Sequence, residues 1–207
     1  MKKDLSKSPY RGFTLIEMLV AIVIIVVLSV VALPRFLNIQ DDSRIALFEG
    51  AESQFQSAIT FAHSKWLVSG GGNAEMNDMP GFGEDEDGNA QLDVNDVGYP
   101  LGVDKGNPMG QPYNIGQGDQ GCVSIWDAIM TTDLTATTDP NQSGDFDFVT
   151  RRQNLSFVAK DGSSQTKLAI CYYIYTRVDF DSDPNNAGYV FWYNSRTGEV
   201  TQQDPNQ

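Results

Sequence analysis

The chain has 207 residues and a formal net charge of −13 at pH 7. This length suits one modest globular domain, alone or with a membrane anchor, and an apolar content of 41% excludes wholesale disorder. Two cysteines are too few for a disulfide-dense scaffold. The acidic balance disfavours binding to nucleic acid, which needs a surface rich in Lys and Arg, so no nucleic-acid partner is expected.

Charge is distributed unevenly around an apolar segment near the N-terminus. Residues 1–12 carry four basic residues and one acidic residue, whereas residues 13–207 have a net charge of −16. As a helix, residues 13–33 would span roughly 31 Å, which is about the thickness of a bilayer core. Basic residues before the segment and acidic residues after it predict a transmembrane helix with its N-terminus inside and the bulk of the chain exported.

The apolar segment contains a single carboxylate, Glu17. An unpaired charge inside a membrane costs about 3 kcal/mol on insertion scales, so this side chain is expected to have a partner or a purpose. The alternative is a glutamate tolerated at the membrane interface. A secretory signal peptide fits poorly, because no small-x-small cleavage site follows the segment and Pro34 leads directly into further helical pattern.

The residues at the start of the apolar segment carry a family resemblance. Residues 12–17 read Gly-Phe-Thr-Leu-Ile-Glu after a short basic leader, which resembles the type III signal of type IV pilins and pseudopilins. The resemblance implies that prepilin peptidase cleaves between Gly12 and Phe13 and methylates the new Phe13 amine. It also implies that Glu17 pairs with the Phe13 amine of a neighbouring subunit during filament assembly. Each charge would then neutralise the other.

Segments downstream are similar to pilins of the mannose-sensitive haemagglutinin type. Pro34 lies where this family bends its long N-terminal helix, and proline removes a helical hydrogen bond. The resemblance implies an inner-membrane precursor with a periplasmic head that later joins a cell-surface pilus. Its implied partners are other pilin subunits, prepilin peptidase and the inner-membrane assembly machinery. The similar segments are residues 34–38 (PRFLN), 98–100 (GYP), 122–126 (CVSIW) and 171–175 (CYYIY).

A long helix followed by strands predicts an α+β fold with an antiparallel sheet in the head. Apolar residues beyond Pro34 recur at steps of three and four, as on one face of an amphipathic helix, until a run of glycines at residues 70–72. The helix is therefore predicted from residue 13 to about residue 68. His63, the only histidine, lies in it and is expected to be structural. The apolar face consists of Phe48, Ala51, Phe55, Ala58, Ile59, Ala62 and Trp66.

The head is predicted to consist of short elements separated by turn signals. Residues 73–120 are loop-rich, with a first strand at residues 91–94, and residues 135–145 read as a polar loop. A short helix is predicted at residues 124–130, and strands at residues 146–149, 155–159, 168–175 and 189–193. The predicted organisation is a leader at 1–12, a transmembrane and filament-core helix at 13–34, an amphipathic helix at 35–68 and a globular head at 69–207.

The two cysteines, Cys122 and Cys171, both lie on the predicted exported side. Reduced buried thiols are one possibility, but an oxidising compartment favours a disulfide between them. Closing this loop would stabilise the head by roughly 4 kcal/mol in the chain-entropy model. A redox motif would place the two cysteines two residues apart, so a structural role is predicted.

An acidic stretch at residues 84–96 is compatible with a calcium site, because its side-chain oxygens occur at the ligand spacings of a 12-residue loop. Ala90 in place of the turn glycine and the lack of flanking helices count against it. A second cluster at residues 179–185 alternates as a strand would. The alternative for both is a solvated acidic surface that keeps an exported protein soluble. The candidate ligands are Asp85, Asp87, Asn89, Asp93 and Asp96 in the first stretch, and Asp179, Asp181, Asp183 and Asn185 in the second.

The predicted function is structural. The chain is expected to be a type IV pilus subunit that polymerises through its N-terminal helix into a surface fibre for adhesion or attachment. The alternatives are a type II secretion pseudopilin and a minor pilin that caps or primes the fibre; a DNA-capturing competence pilin is disfavoured by the net charge. An enzyme is not expected, because the sequence contains no H-E-x-x-H, G-x-S-x-G, Walker loop or Cys–His pairing.

Overall fold

A computed structural model of the chain describes residues 12–84, 91–105 and 112–206, except for the side chains of residues 31–38. The chain divides into two compact units, Met1–Ser43 and Arg44–Gln207. The fold is α+β, with an N-terminal helix followed by a mostly antiparallel sheet, which confirms the predicted class. This architecture is consistent with the type IV pilin fold that the resemblance implies.

Helix α1 spans Leu15–Val68. Within the second unit, the predicted apolar face of this helix is buried, with Ala58 only half-buried. The helix ends where the glycine run begins. Gly70 adopts a φ of +87°, and the Gly71 N–H donates to the Trp66 carbonyl at 3.0 Å. A left-handed glycine that lets the chain bond back onto the last turn is a common helix stop.

The main sheet has five strands in the order β3-β4-β5-β6-β7, and a separate hairpin pairs β1 with β2. All neighbours in the main sheet are antiparallel except β3 and β4, which are parallel. Both edge strands, β3 and β7, are only two residues long. The strands are β1 Leu92–Val94, β2 Pro100–Val103, β3 Ala136–Thr137, β4 Phe148–Val158, β5 Ser164–Tyr175, β6 Val190–Asn194 and β7 Val200–Thr201.

Two local predictions around the main sheet differ from the structure. The two strands predicted at residues 146–149 and 155–159 are one strand, β4, whose pairing with β5 is irregular only between Gln153 and Leu155. The predicted polar loop at residues 135–145 contains β3 and a 3₁₀ turn, Pro140–Gln142.

Residues 179–185 form bends and turns, so the acidic cluster that alternates in sequence as a strand would does not lie on a strand. The carboxylates of Asp181 and Asp183 accept from the backbone N–H groups two residues ahead, at 2.8 and 3.0 Å. Such bonds stabilise turns, which explains why an alternating acidic pattern does not form a strand here.

The core of the head lies between α1 and one face of the main sheet. Phe55 is completely buried, and its ring packs against aromatic rings on α2, β5 and β6. Because side chains alternate along β5, Tyr173 and Tyr175 face this core whereas Tyr172 faces the opposite side of the sheet. On that opposite side Tyr172 packs against Trp192 of β6, with ring centroids 5.4 Å apart.

Helix α2, Gln120–Ile129, begins four residues before its predicted start and packs beside β2 and β4. A disulfide joins Cys122 on α2 to Cys171 on β5, with their Cα atoms 5.6 Å apart, as the oxidising-compartment argument favoured. The Tyr173 hydroxyl donates to the Cys122 carbonyl at 2.8 Å, and both cysteines are fully buried. This region of the head is therefore fixed by a covalent bond and a buried hydrogen bond together.

Asp119, the residue before α2, binds a backbone N–H group at the edge of the main sheet. The Asp119 carboxylate accepts from the backbone N–H of Arg152 at 3.1 Å, on the strand β4. The Arg152 guanidinium lies 4.0 Å from the same carboxylate and donates to the Ile115 carbonyl at 2.7 Å. Beyond β3, the Arg152 N–H on the edge of β4 is thereby occupied by a side chain of the same chain.

A buried asparagine organises the turn before β2. Asn95 donates from its side chain to the Ser195 carbonyl at 2.6 Å and accepts from the Tyr99 N–H at 2.8 Å. Within this turn Gly98 has a φ of +79°, and a Cβ added there would lie 2.3 Å from the Trp66 indole. Only glycine fits this close approach of the turn to α1.

Candidate functional site

The predicted cleavage position lies in non-helical backbone. Residues 12–14 precede α1, and a Cβ added at Gly12 would meet no atom within 4 Å. The Phe13 side chain is 83% exposed. The peptide bond between Gly12 and Phe13 is therefore unobstructed by the described part of the chain, as a protease substrate requires.

A capping box holds Glu17 at the start of α1. The backbone N–H and the hydroxyl of Thr14 both donate to Glu17 Oε2, at 2.8 and 2.7 Å, and the Glu17 N–H lies 3.3 Å from the Thr14 hydroxyl oxygen. This reciprocal pairing between the first capping residue and the third helical residue satisfies free N–H groups at a helix N-terminus. Both Thr14 bonds end on Oε2, so Oε1 has no partner among the residues that the structure describes.

The first unit presents apolar side chains on every side of its helix. Phe13 and Glu17 line one shallow groove along the helix together with Val20, while Leu19 and Ile22 line another. A surface of this kind needs a cover of lipid or of other apolar helices. Between residues 13 and 30, the large apolar side chains exposed by about half or more are Phe13, Leu15, Ile16, Met18, Leu19, Val20, Ile22, Val23, Ile24, Ile25, Val26, Val27, Leu28 and Val30.

Within the described residues, no helix combines the length and the apolar character needed to cross a membrane. The last three residues of the predicted transmembrane segment, residues 31–33 of 13–33, have side chains that lie outside the described part of the chain. The side chain of Pro34 lies there too, and the bend predicted at this residue stays a prediction.

The acidic stretch is described only in part. Asp85, Asp87 and Asn89 lie outside the described residues, whereas Asp93 is 3% exposed and Asp96 is half-buried. The two Asp93 oxygens accept from backbone N–H groups at 3.1 and 2.7 Å. Burial raises the pKa of the Asp93 carboxyl, although these two hydrogen bonds act to lower the pKa.

Of the described acidic residues, Asp93 therefore has structural contacts of its own. Asp93 ties residues 78 and 105 to β1, and one buried oxygen of Asp96 lacks a hydrogen-bond partner in the described structure. Among the described residues, no group of three or more His, Cys, Asp or Glu side chains is arranged to hold a metal ion. The calcium site at Asp85, Asp87, Asn89, Asp93 and Asp96 stays a prediction.

His63 lies in an aromatic stack. Its ring centroid is 4.8 Å from that of Tyr99 and 5.6 Å from that of Trp66. These contacts agree with the structural role expected for this histidine.

The site residue that sequence reasoning missed is Thr14. Its signal is present in the sequence, because Thr-x-x-Glu directly before an apolar run is the pattern of a capping box. The structure brings Thr14 and Glu17 together and leaves Phe13 exposed beside them.

Comparison with known proteins supports this interpretation of the N-terminus. Residues 7–33 match the family model described as the prokaryotic N-terminal methylation motif. Neither a curated protein nor a solved structure matches the chain. The motif supports a type IV pilin-like prepilin, and it marks pilin-like structural proteins, which are not enzymes. It implies processing by prepilin peptidase and assembly into a pilin-type polymer, and it fits a membrane-anchored precursor.

Proposed function

We propose that this chain is a structural subunit of a type IV pilus of the mannose-sensitive haemagglutinin type. The observation that carries the proposal is the methylation motif at residues 7–33, joined to a helix whose apolar side chains are exposed on all sides around one carboxylate. Burial of these side chains against the same helix of other copies supplies the free energy of polymerisation.

In this proposal the precursor is first anchored by residues 13–33, with its N-terminus inside and its head in the periplasm. Prepilin peptidase then cleaves between Gly12 and Phe13 and methylates the new amine. Among the described residues none obstructs this peptide bond, which supports such processing. The disulfide between Cys122 and Cys171 supports export, because such bonds persist in oxidising compartments.

Glu17 has a specific role in the proposed assembly step. Its Oε2 atom is held by Thr14, while Oε1 is available to accept from the methylated Phe13 amine of a neighbouring subunit. A carboxylate that retains its cap and gains an ammonium partner loses most of the cost of burial in an apolar environment. The capping box therefore orients the carboxylate before the neighbour arrives.

The head supports a fibre that acts at the cell surface. Its core is closed by aromatic packing and by a disulfide, so the head is built to remain folded outside the cell. The segments that resemble haemagglutinin-type pilins include the disulfide cysteines and the turn at residues 98–100. We propose adhesion or attachment as the role of this fibre, with the inner-membrane assembly machinery as its partner.

The test is an intact-mass measurement on material sheared from the cell surface, compared with the membrane fraction of the same cells. The expected species begins at Phe13, is one methyl group heavier than its sequence, and is two hydrogens lighter because of the disulfide. Its abundance in the sheared fraction would identify a major pilin. The same species confined to membranes would contradict this proposal and favour a secretion pseudopilin or a minor pilin.

A further inference from the structure

A cavity of about 510 Å³ lies within the head, at the C-terminal end of α1. Its walls come from four separate parts of the chain: the last turns of α1, the residue after the glycine run, the turn before β2 and the turn between β6 and β7. This volume falls within the range of small-molecule binding sites. The polar and aromatic residues of the lining include His63, Trp66, Asn73, Asp96, Tyr99 and Arg196.

Asp96 brings a negative charge without a partner to this cavity. Its carboxylate makes no hydrogen bond and no ion pair with a described residue, and its Oδ1 atom is buried. Its Oδ2 atom is not among the buried atoms that lack a partner, so this oxygen is open to a donor from solvent. A half-buried carboxylate of this kind is stabilised when a cation lies beside it.

The Asp96 charge also acts on a second carboxyl group, that of Glu75, whose Oε2 atom is buried without a partner. Burial raises the pKa of the Glu75 carboxyl, the Lys105 ammonium lowers this pKa, and the Asp96 carboxylate raises it again. Two carboxyl groups that repel each other therefore lie close together at this end of the head.

Aromatic rings form another wall of the cavity. The rings of His63 and Tyr99 are stacked with their centroids 4.8 Å apart, and the Trp66 ring lies 5.6 Å from that of His63. Aromatic rings attract cations and also cover the methylene groups of a long cationic chain. The Tyr99 hydroxyl makes no hydrogen bond to a described residue and is not among the buried atoms, so it can accept a hydrogen bond from a ligand.

The Arg196 side chain borders the cavity, but its charge is directed elsewhere. Its guanidinium carbon lies 4.3 Å from the centroid of the Phe157 ring. Phe157 packs with Tyr172 and Trp192 on the side of the sheet that faces away from α1. The guanidinium therefore does not pair with Asp96, and the cavity keeps its negative charge.

We propose that this cavity binds an aliphatic polyamine. One ammonium group donates a charge-assisted hydrogen bond to Asp96, and the methylene chain lies against the rings of His63 and Tyr99. A further ammonium group along the chain lies over the acidic surface to which Glu75 belongs. This binding function is separate from polymerisation, and a single subunit suffices to test it.

Other classes of ligand fit this cavity less well. An anion would be repelled by Asp96 and by the net charge of −16 on residues 13–207. A neutral ligand would leave the Asp96 charge without a partner. A metal ion would lack ligands, because no group of three or more His, Cys, Asp or Glu side chains among the described residues is arranged to hold one.

The experiment is an NMR titration of the full mature chain, untagged and labelled with ¹³C at histidine, in dodecyl maltoside micelles at constant pH. His63 is the only histidine, so its imidazole Cε1–H signal needs no assignment. The headgroups of this detergent are uncharged and do not compete for a cation site. Cadaverine and spermidine are the probes, each added to about 20 mM, and a dissociation constant of about 1 mM is expected for a site that solvent reaches. The His63 signal should move and saturate.

A matched probe and two variants test whether the Asp96 charge is responsible. Pentane-1,5-diol has the carbon chain of cadaverine with hydroxyl groups in place of the ammonium groups, and it should leave the His63 signal in place. Asp96→Asn removes the charge with little change in shape and should weaken the binding of cadaverine about tenfold. Asp145→Asn removes the same charge from an exposed turn outside the lining and should bind as the wild type does.

The proposal is overturned if neither amine moves the His63 signal, or if the diol moves it as far as cadaverine does. It is equally overturned if Asp96→Asn keeps the affinity of the wild type, or if Asp145→Asn weakens binding to the same extent, since binding would then follow the acidic head as a whole. Calcium chloride at the same concentration should not move the signal, and an equal shift would also overturn the proposal.

Discussion

The disulfide between Cys122 and Cys171 should supply a large share of the stability of the head. It joins residues 49 positions apart in the sequence, on α2 and β5. In the chain-entropy model, a loop of this length restricts the unfolded chain enough to stabilise the folded state by about 4 kcal/mol. Since net stabilities of about 5–15 kcal/mol are usual, removal of the bond should bring the head close to unfolding.

The perturbation is the double substitution Cys122→Ala and Cys171→Ala, measured by urea unfolding of the mature chain in micelles. Tryptophan fluorescence follows the head, because the Trp126 ring lies 5.9 Å from that of Phe55 in the core. With a denaturant slope of about 2 kcal/mol per M, a loss of 4 kcal/mol lowers the midpoint by about 2 M.

Reductant provides the matched control for this experiment. It should lower the midpoint of the wild type and leave the double variant unchanged, which separates the covalent bond from the packing of the sulfur atoms. Equal midpoints for the oxidised and reduced wild type would refute the loop-closure reasoning.

Four further outcomes are expected. Glu17→Ala should insert normally but yield no sheared fibres, because the neighbouring amine loses its partner. As a control, Glu49→Ala on the exposed side of α1 should assemble normally. Fibres from the Glu17 variant would exclude the pairing role. Gly12→Val should leave an uncleaved precursor on an immunoblot, and a mature-sized band would place cleavage elsewhere. Thr14→Ala should cost about 1 kcal/mol at the helix start, seen as about fivefold faster exchange of the first α1 amides, and Thr14→Ser should restore protection. Because burial raises the pKa of the Asp93 carboxyl, the folded chain keeps the proton on this group at pH values where the unfolded chain has lost it. The contribution of Asp93 to the free energy of unfolding therefore increases as pH falls through the raised pKa. As pH falls from neutral, the urea midpoint of the wild type should therefore rise relative to the midpoint of Asp93→Asn. A relative fall would contradict this assignment.

The long helix could be predicted because its signals are local. Steps of three and four between apolar residues define the buried face, and the glycine run sets the end at Val68. The start was misplaced by two residues, since hydropathy alone includes Phe13 and Thr14 in the apolar run. In the structure Thr14 caps the helix instead of joining it, so α1 begins at Leu15.

The sheet was harder to predict because its pairing is non-local. Polar residues such as Arg151 and Arg152 interrupt the alternation and divide β4 into two predicted strands. The ladder nevertheless continues through them, opposite Tyr172 and Cys171 of β5. The parallel strand β3 has no local signal, because its two residues are strands only by virtue of their register with β4.

The candidate site shows the same division between local and non-local information. Gly12, Phe13 and Glu17 follow from a short contiguous motif, and the Thr14 cap could have been found by the same local inspection. The stack of His63 on Tyr99 could not, because only the folded head brings the turn before β2 against α1. No sequence spacing relates these two residues.

The two-residue strands at both edges of the sheet affect how heads could pack against one another in a fibre. Polymerisation would hold many heads at a very high local concentration, where long unpaired edges invite strands of adjacent copies to pair and aggregate. Here β3 and β7 are too short to act as templates, and Asp119 already occupies the Arg152 N–H that an intruding strand would need. The heads can thus be crowded together while each keeps its own sheet.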